Sequence, residues 1–245
     1  MCFLSVVLQI ILESLPVSSS GHAIMLGHVL PNYIDRLAGG ATAIMLIVYF
    51  CKDIVGVCRG LSVHYERVAS LLLLIVVANS VTVFVYTLLK PVSVIFPLWV
   101  GFLVTALSLL SLVWCQDSQS RPITYVSMFL LGLVQGCASL PGISRLASTY
   151  VAASWFGFSP AIAFRISCAL QLPLFCVGFL EGFVTAWRTG TLWAFNPLWL
   201  LPIIGAMVIA YFLLWAVELL MRAGKLWYIG LYMLLPTFIA FMRSM

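Results

Sequence analysis

The sequence predicts an all-α, polytopic membrane protein, a single integral domain over residues 1–245. Three observations carry that prediction. First, 64% of the residues are hydrophobic and 8% are charged, which leaves no composition for a soluble domain, where about 25% are charged. Second, the apolar runs approach the ~20 residues of a spanning helix, enough for about eight to ten hydrophobic helices, some of them short. None has the alternating ~10-residue pattern of an outer-membrane barrel. Third, two of the runs are interrupted by polar, proline-containing stretches at corresponding places in the two halves, which points to internal repeats with a site between them.

The elements follow in order from the punctuation. Residues 1–15 read as a helix stopped by Pro16, which cannot donate to a preceding turn. Residues 23–30 form a short helix ending at Pro31. Longer helices are expected over 37–51, 68–89, 96–115 and 123–140, with 52–67 as a connecting loop. A second break at 141–145 precedes a helix over 146–157, and the last helices cover 163–187, 197–221 and 226–243. The two breaks resemble one another. Ser14-Leu15-Pro16-Val17-Ser18-Ser19 aligns with Ser139-Leu140-Pro141-Gly142-Ile143-Ser144 at an offset of 125 residues, giving repeat one about 1–115 and repeat two about 123–245. Irregular backbone at membrane depth requires cover from protein or a water-filled cavity.

Orientation is read from Lys and Arg. With loop 52–67 in the cytoplasm, Lys52, Arg59, Arg67, Arg121, Arg165, Arg222 and Lys225 fall inside. Arg36, Lys90, Arg188 and Arg243 fall outside. The second polar loop then lies on the non-cytoplasmic side. The net charge of +5 is spread over these loops and gives no nucleic-acid surface. His28, His64 and Trp193 read as interfacial, and Glu218 with Arg222, four residues apart, as a helical ion pair. Glu181 is a candidate cavity residue.

The first break supplies reactive groups. A carboxylate in hydrocarbon costs roughly 2.5–3.5 kcal/mol or more, so Glu13 marks a site rather than a lipid-facing surface. Gln9 is four residues before it, on the same helical face. Ser18, Ser19 and Ser20 can donate to phosphate oxygens, and any of them is a nucleophile once a base activates it. His22 is the general acid/base candidate beside them. The second break supplies an oxyanion cradle. Gly142 permits a tight turn, Ser144 opens a helix whose free N–H groups attract anions, and Arg145 adds a planar, permanently charged fork. Glu13 is also a candidate ligand for a divalent cation, Mg or Ca, in phosphoryl transfer.

At these two breaks the chain resembles the undecaprenyl-diphosphatase family, the bacitracin-resistance phosphatases of bacterial inner membranes. Gln9, Glu13 and Leu15 to His22 match that family's first motif, and Pro141, Gly142, Ser144, Arg145 and Thr149 match its second. Ala163, Arg165, Ser167, Leu170 and Pro173 continue the likeness. The resemblance implies two inverted repeats, each with a re-entrant broken helix pair, in a multi-pass inner-membrane protein whose site faces the periplasm. It implies cation-assisted release of phosphate from undecaprenyl diphosphate, which recycles the lipid carrier of peptidoglycan synthesis. It makes Gln9, Glu13, Ser19, His22, Ser144, Arg145 and Thr149 the candidate functional positions; together with the chemistry of the two breaks, catalysis is expected from Ser19, His22, Glu13 and Arg145, and substrate binding from Gln9, Ser18, Ser20, Gly142, Ser144 and Thr149. The expected partners are a polyprenyl diphosphate and membrane lipids, with a homodimer as the candidate assembly and no nucleic acid. Leu146 and Ala147 depart from the family's Ser-Gly, and Ser14 from its aromatic. Type 2 phosphatidic acid phosphatases share Ser-Gly-His and Ser-Arg pairs but need a His and an Asp after the latter, and 146–159 contains neither. The alternative is a polyprenyl-phosphate flippase on the same fold, which needs Arg145 but not both Ser19 and His22.

Overall fold

The computed structural model describes residues 2–28, 30–63, 65–115, 121–191 and 197–245; His64 and Trp193 fall outside them. The described residues form eleven α-helices and no strand. They are α1 (Cys2–Glu13), α2 (Ser19–Met25), α3 (Asn32–Tyr49), α4 (Cys51–Val63), α5 (Tyr65–Ser93), α6 (Leu98–Leu110), α7 (Tyr125–Cys137), α8 (Arg145–Trp155), α9 (Pro160–Arg188), α10 (Leu200–Arg222) and α11 (Trp227–Met242). Val68–Ser93, Pro160–Arg188 and Pro197–Arg222 are each long and apolar enough to cross a membrane. Large apolar side chains such as Phe84, Phe183 and Phe212 are exposed on their outer faces, as a hydrocarbon solvent allows.

Three boundaries differ from the expected ones. The 52–67 segment is not a loop. It is α4 and the start of α5, and α3 runs into α4 through a bend of 69°. Lys52, Asp53 and Arg59 end the apolar run but not the helix. Asp53 sits in the first turn of α4, where a negative charge suits the helix dipole, and pairs with Arg165 at 3.5 Å. Helix α2 starts at Ser19 rather than 23, because the Ser18 hydroxyl caps it by accepting from Gly21 N–H at 3.2 Å. Helix α3 starts at Asn32, directly after Pro31, so Asp35 and Arg36 are helical.

The first break makes a hairpin. Helix α1 descends to Glu13 and α2 returns, bringing Ser5 Oγ within 3.2 Å of His28 Nδ1. The second break does the same, since Arg121 N–H donates to Gly157 O at 3.1 Å across the open end of α7 and α8. The hairpins enter from opposite ends of α6. Hairpin one opens where Arg243 donates to Met25 O, and Phe241 beside it packs on Trp99 at the start of α6. Hairpin two opens where the Trp155 indole N–H donates to Ser111 Oγ, just past the end of α6.

The most extensive helix contacts are α6 with α11, α3 with α9 and α5 with α7. The first two pairs are antiparallel. Trp99 meets Phe241 while Gly230 meets Ala106 and Leu109. Likewise Tyr49 meets Phe164, Gly39 meets Phe175 and Arg36 meets Gly182. Matching each hairpin and the helices after it to those of the other half makes α6 and α11 counterparts, and α3 and α9 likewise. Antiparallel packing between counterparts is what a two-fold axis across the helices generates, so it has the form of an inverted repeat.

Candidate active site

Both hairpin tips border one cavity of about 450 Å³. Tip one contributes Gln9, Glu13, Ser18, Ser19 and Ser20, and tip two contributes Ser139, Ile143, Ser144 and Arg145. Helices α3, α5, α7 and α9 complete the wall with Asp35, Arg36, Thr82, Tyr86, Gln135, Gln171 and Glu181 among others.

On tip one, the Gln9 amide organises two groups at once. Its Nε2 donates to Glu13 Oε1 at 2.9 Å and to Ser19 Oγ at 3.3 Å. The i, i+4 spacing of Gln9 and Glu13 makes the first bond, and the turn after Glu13 brings Ser19 back for the second. The other carboxylate oxygen, Oε2, accepts from the Thr42 hydroxyl of α3. Glu13 is therefore held at both oxygens and keeps lone pairs facing the cavity. Ser18 is spent on capping α2, and Ser20 Oγ lies 3.4 Å from Ser18 Oγ.

His22 stands apart from this group. It is buried and does not border the cavity. Its Nδ1 lies 2.7 Å from Ser18 O, an acceptor, so Nδ1 carries the proton. Its Nε2 then accepts from the Tyr232 hydroxyl of α11 at 3.1 Å. The ring lies edge-on to Phe102 at 5.2 Å. Both nitrogens are occupied, and Glu13 is bonded to Gln9 and Thr42 rather than to His22.

Tip two is anchored from α6. The Thr105 hydroxyl donates to Gly142 O at 3.0 Å and accepts from Ser144 N–H at 3.0 Å. Gly142 has φ +85°, a conformation that suits glycine, and a Cβ there would lie 2.6 Å from Leu98 O. Gly101 lets the tip in, since a Cβ on it would lie 1.9 Å from Pro141 O. Gly142 thus shapes the tip without bordering the cavity. Ser144 caps α8 by accepting from Ala147 N–H at 3.3 Å. Thr149 is fully buried, and its hydroxyl donates back to Arg145 O at 2.7 Å, so it too is off the cavity wall.

Arg145 opens α8 and borders the cavity. Its guanidinium lies 5.1 Å over the Phe175 ring and forms no hydrogen bond or ion pair among the described residues. A planar fork stacked on an aromatic face, with Glu13 and Asp35 near it but not bonded to it, is available to an anionic ligand. Arg36, at the cavity mouth, is by contrast paired with Glu181. Glu218 forms the expected ion pair with Arg222 at 2.6 Å, far from the cavity, and also accepts from the Tyr49 hydroxyl.

The cap positions set the correspondence between the tips. Ser18 and Ser144 cap α2 and α8 in the same way. The structural offset is therefore 126 residues, not the 125 read from the Ser-Leu-Pro match. At that offset Gln9 pairs with Gln135, Glu13 with Ser139 and Ser19 with Arg145.

Gln135 was not singled out in the sequence. Its spacing from Gln9 was the available signal. It is fully buried at the cavity wall, with Oε1 3.1 Å from the Thr82 hydroxyl and Nε2 without a partner among the described residues. Asp35 was missed as well, because its helix was taken to begin after it. Among the described residues no three His, Cys, Asp or Glu side chains gather as a metal cage. The donor set still fits a hard cation of the magnesium kind, which keeps waters and is held by one or two carboxylates together with phosphate oxygens. Glu13 and Asp35 are carboxylates of the cavity wall that could hold such an ion.

Known proteins similar to this chain share one description. A family model described as "Bacitracin resistance protein BacA" matches residues 2–239. A protein of Treponema denticola named "Undecaprenyl-diphosphatase" is 29% identical over 91% of this chain and 88% of its own length. "Undecaprenyl-diphosphatase 1" of Halalkalibacterium halodurans is 30% identical over 90% of this chain and 87% of its own. The "Undecaprenyl-diphosphatase" of Desulfosudis oleivorans is 32% identical over 68% and 70%.

Proposed function

The chain belongs to the BacA bacitracin-resistance family, and from that premise we propose that it is an undecaprenyl-diphosphatase. It is a hydrolase of a phosphoric anhydride in a lipid. The bond broken joins the terminal phosphorus to the bridging oxygen, and the bond formed joins that phosphorus to a water oxygen, directly or by way of Ser19, giving undecaprenyl phosphate and inorganic phosphate and returning the lipid carrier to peptidoglycan synthesis. The observation that carries the reading is the single cavity in which Ser19 and Glu13 of one tip face Arg145 of the other.

The residues divide the work. Arg145 and the first N–H groups of α8 take the diphosphate charge, with Ser144 shaping the helix start. Ser19 attacks or directly positions the terminal phosphorus, and Gln9 fixes its hydroxyl relative to Glu13. Glu13 is the carboxylate on that wall for accepting a proton or holding a Mg or Ca ion, which would neutralise phosphate charge. His22 acts as a positioning residue. It locks the Ser18 carbonyl to α11 and so fixes the tip that carries Ser19.

The cavity wall includes Arg36 and Glu181, at the end of the helices that carries the four-residue minority of Lys and Arg. By the positive-inside rule that end is periplasmic, and the protein sits in the bacterial inner membrane. Residues 1–115 and 123–245 are the two repeats. A homodimer remains part of the proposal.

Phosphate release from undecaprenyl diphosphate by the purified protein, with and without a chelator, tests the assignment. Release that stops on chelation and returns with Mg or Ca is expected. Absence of release, with lipid movement across vesicles intact, replaces the phosphatase with the flippase.

A further inference from the structure

Among the described residues the cations of the cavity wall are Arg145 and Arg36, and they lie at different depths. At the hairpin tips, Thr42 of α3 holds Glu13 and Phe175 of α9 lies under Arg145. Arg36 is six residues before Thr42, and Glu181 is six residues after Phe175. Because α3 and α9 are antiparallel, both steps run towards the same end, by roughly 9 Å at the rise of an α-helix. There Arg36 and Glu181 form an ion pair at the cavity mouth. The helices beneath the pair are in close contact, since a Cβ on Gly182 would lie 2.8 Å from Tyr33 O and 2.9 Å from Arg36 Cβ. The pair can therefore part at its side-chain ends while the helices stay together. Its side chains are 35% and 58% exposed, and an ion pair as exposed as this contributes little to stability.

We infer that Arg36 is a second oxyanion subsite, where released inorganic phosphate pauses on its way to water, and that Glu181 is the built-in competitor for it. This rests on the phosphatase reading and deepens it. Hydrolysis leaves inorganic phosphate at the tips beside Arg145, and its route to water passes the mouth. Phosphate oxygens match the guanidinium fork through two parallel N–H donors. Phosphate thus displaces an exposed carboxylate from Arg36. Glu181 is tethered on the facing helix, so it stays at high effective concentration. It takes Arg36 back and sends the phosphate on. The same tether keeps phosphate already in solution from refilling the mouth. Asp35, next to Arg36 in sequence, lies in the field of both guanidinium groups. It offsets positive charge that would otherwise hold the product between them.

Product inhibition tests the subsite. Turnover is read as labelled undecaprenyl phosphate, in uncharged detergent, against added inorganic phosphate at constant ionic strength. Glu181→Gln keeps the shape of the side chain and frees Arg36. Its inhibition constant for phosphate should fall about three- to fivefold, the worth of an exposed ion pair. Adding Arg36→Gln to Glu181→Gln should remove that fall. An unchanged constant in Glu181→Gln, or a fall that persists in full in the double variant, overturns the subsite while leaving the phosphatase intact. No labelled product from the wild-type protein overturns the phosphatase itself. Broadening of the phosphorus NMR signal of inorganic phosphate reads the subsite without turnover. Stronger broadening by Glu181→Gln than by the double variant supports it, and equal broadening overturns it. A lipid headgroup offers the same phosphate chemistry. A response of Glu181→Gln to vesicles containing phosphatidylglycerol, with none to inorganic phosphate, makes Arg36 a headgroup anchor and overturns the exit role.

Discussion

The two hairpin tips share a backbone device and differ in chemistry. In both, a serine caps the returning helix, and the residue after the cap is the first of that helix. In tip one that residue is Ser19, in tip two Arg145. In the last turns of the descending helix lies a glutamine, Gln9 or Gln135. Four residues after the glutamine tip one has Glu13, the last residue of α1, and tip two has Ser139, just past the end of α7. The shared part builds two helix starts at membrane depth. The differing part splits the roles, with nucleophile and carboxylate on one tip and the cation on the other. A duplicated fold thereby obtains an asymmetric site without changing its frame.

The largest expected effects come from removing what differs. Ser19→Ala should lower turnover ~100-fold or more while lipid binding persists, the range typical of nucleophile and acid/base losses. Arg145→Lys should lose most activity, because a point charge cannot reproduce the fork over Phe175. Phosphate-release kinetics check both. Near wild-type turnover in either variant would remove that tip's residue from the chemistry and break the division of roles. His22→Ala adds a discriminating case. A proton-shuttling His22 would leave the fold intact and abolish turnover, whereas the positioning role drawn from its Ser18 and Tyr232 bonds also lowers thermal stability.

The next effects come from what holds each tip. Thr105→Val leaves the buried Ser144 N–H and Gly142 O without their α6 partner. Each such loss costs about 1–3 kcal/mol. Unfolding in detergent should show that loss, together with a raised KM, because Arg145 follows directly. Thr42→Val removes one hydrogen bond to Glu13 and should act on turnover more than on stability. Equal effects of the two variants on KM and on turnover would mean the tips do not have separate roles.

The hairpins were legible because they violate the hydrocarbon rule locally. Pro16, Pro141, Glu13, the serine run and Arg145 are expensive in lipid unless they serve a site. Their anchors were not legible. Thr105, Thr42 and Tyr232 are ordinary helix residues, and Tyr232 reaches His22 across 210 positions of sequence. Nothing in a local pattern marks a threonine whose partner is a distant loop. The 52–67 segment failed for the opposite reason. Its charges read as a loop, yet a helix with one exposed face tolerates them. The register error of one residue arose because Ser-Leu-Pro matches letters, while the cap serines match function.

The caps sharpen the comparison at a smaller scale. Ser18→Ala and Ser144→Ala each remove a capping oxygen, worth about 0.5–2 kcal/mol. The two losses should be similar in thermal unfolding, since the devices are alike, with bonds of 3.2 and 3.3 Å. A loss confined to one of them would show that the correspondence at 126 residues is not energetic.

The smallest effect is expected at Gln135, set against its counterpart Gln9. Gln9 spends its amide on Glu13 and Ser19, so Gln9→Leu should disorganise both and reduce turnover sharply. Gln135 spends only its oxygen, on Thr82, and that hydroxyl has Ala78 O and Gly132 O within 3.0 Å as further acceptors. Its Nε2 is buried without a partner among the described residues. Replacing an unsatisfied buried amide by an apolar group of similar shape is nearly neutral or stabilising. Gln135→Leu should therefore keep or raise the unfolding temperature, with the change in stability within about 1 kcal/mol of neutral or favourable. A clear loss of stability would mean that Nε2 is already satisfied in the resting protein. Gln135 would then be a structural mate of Gln9 rather than its idle counterpart.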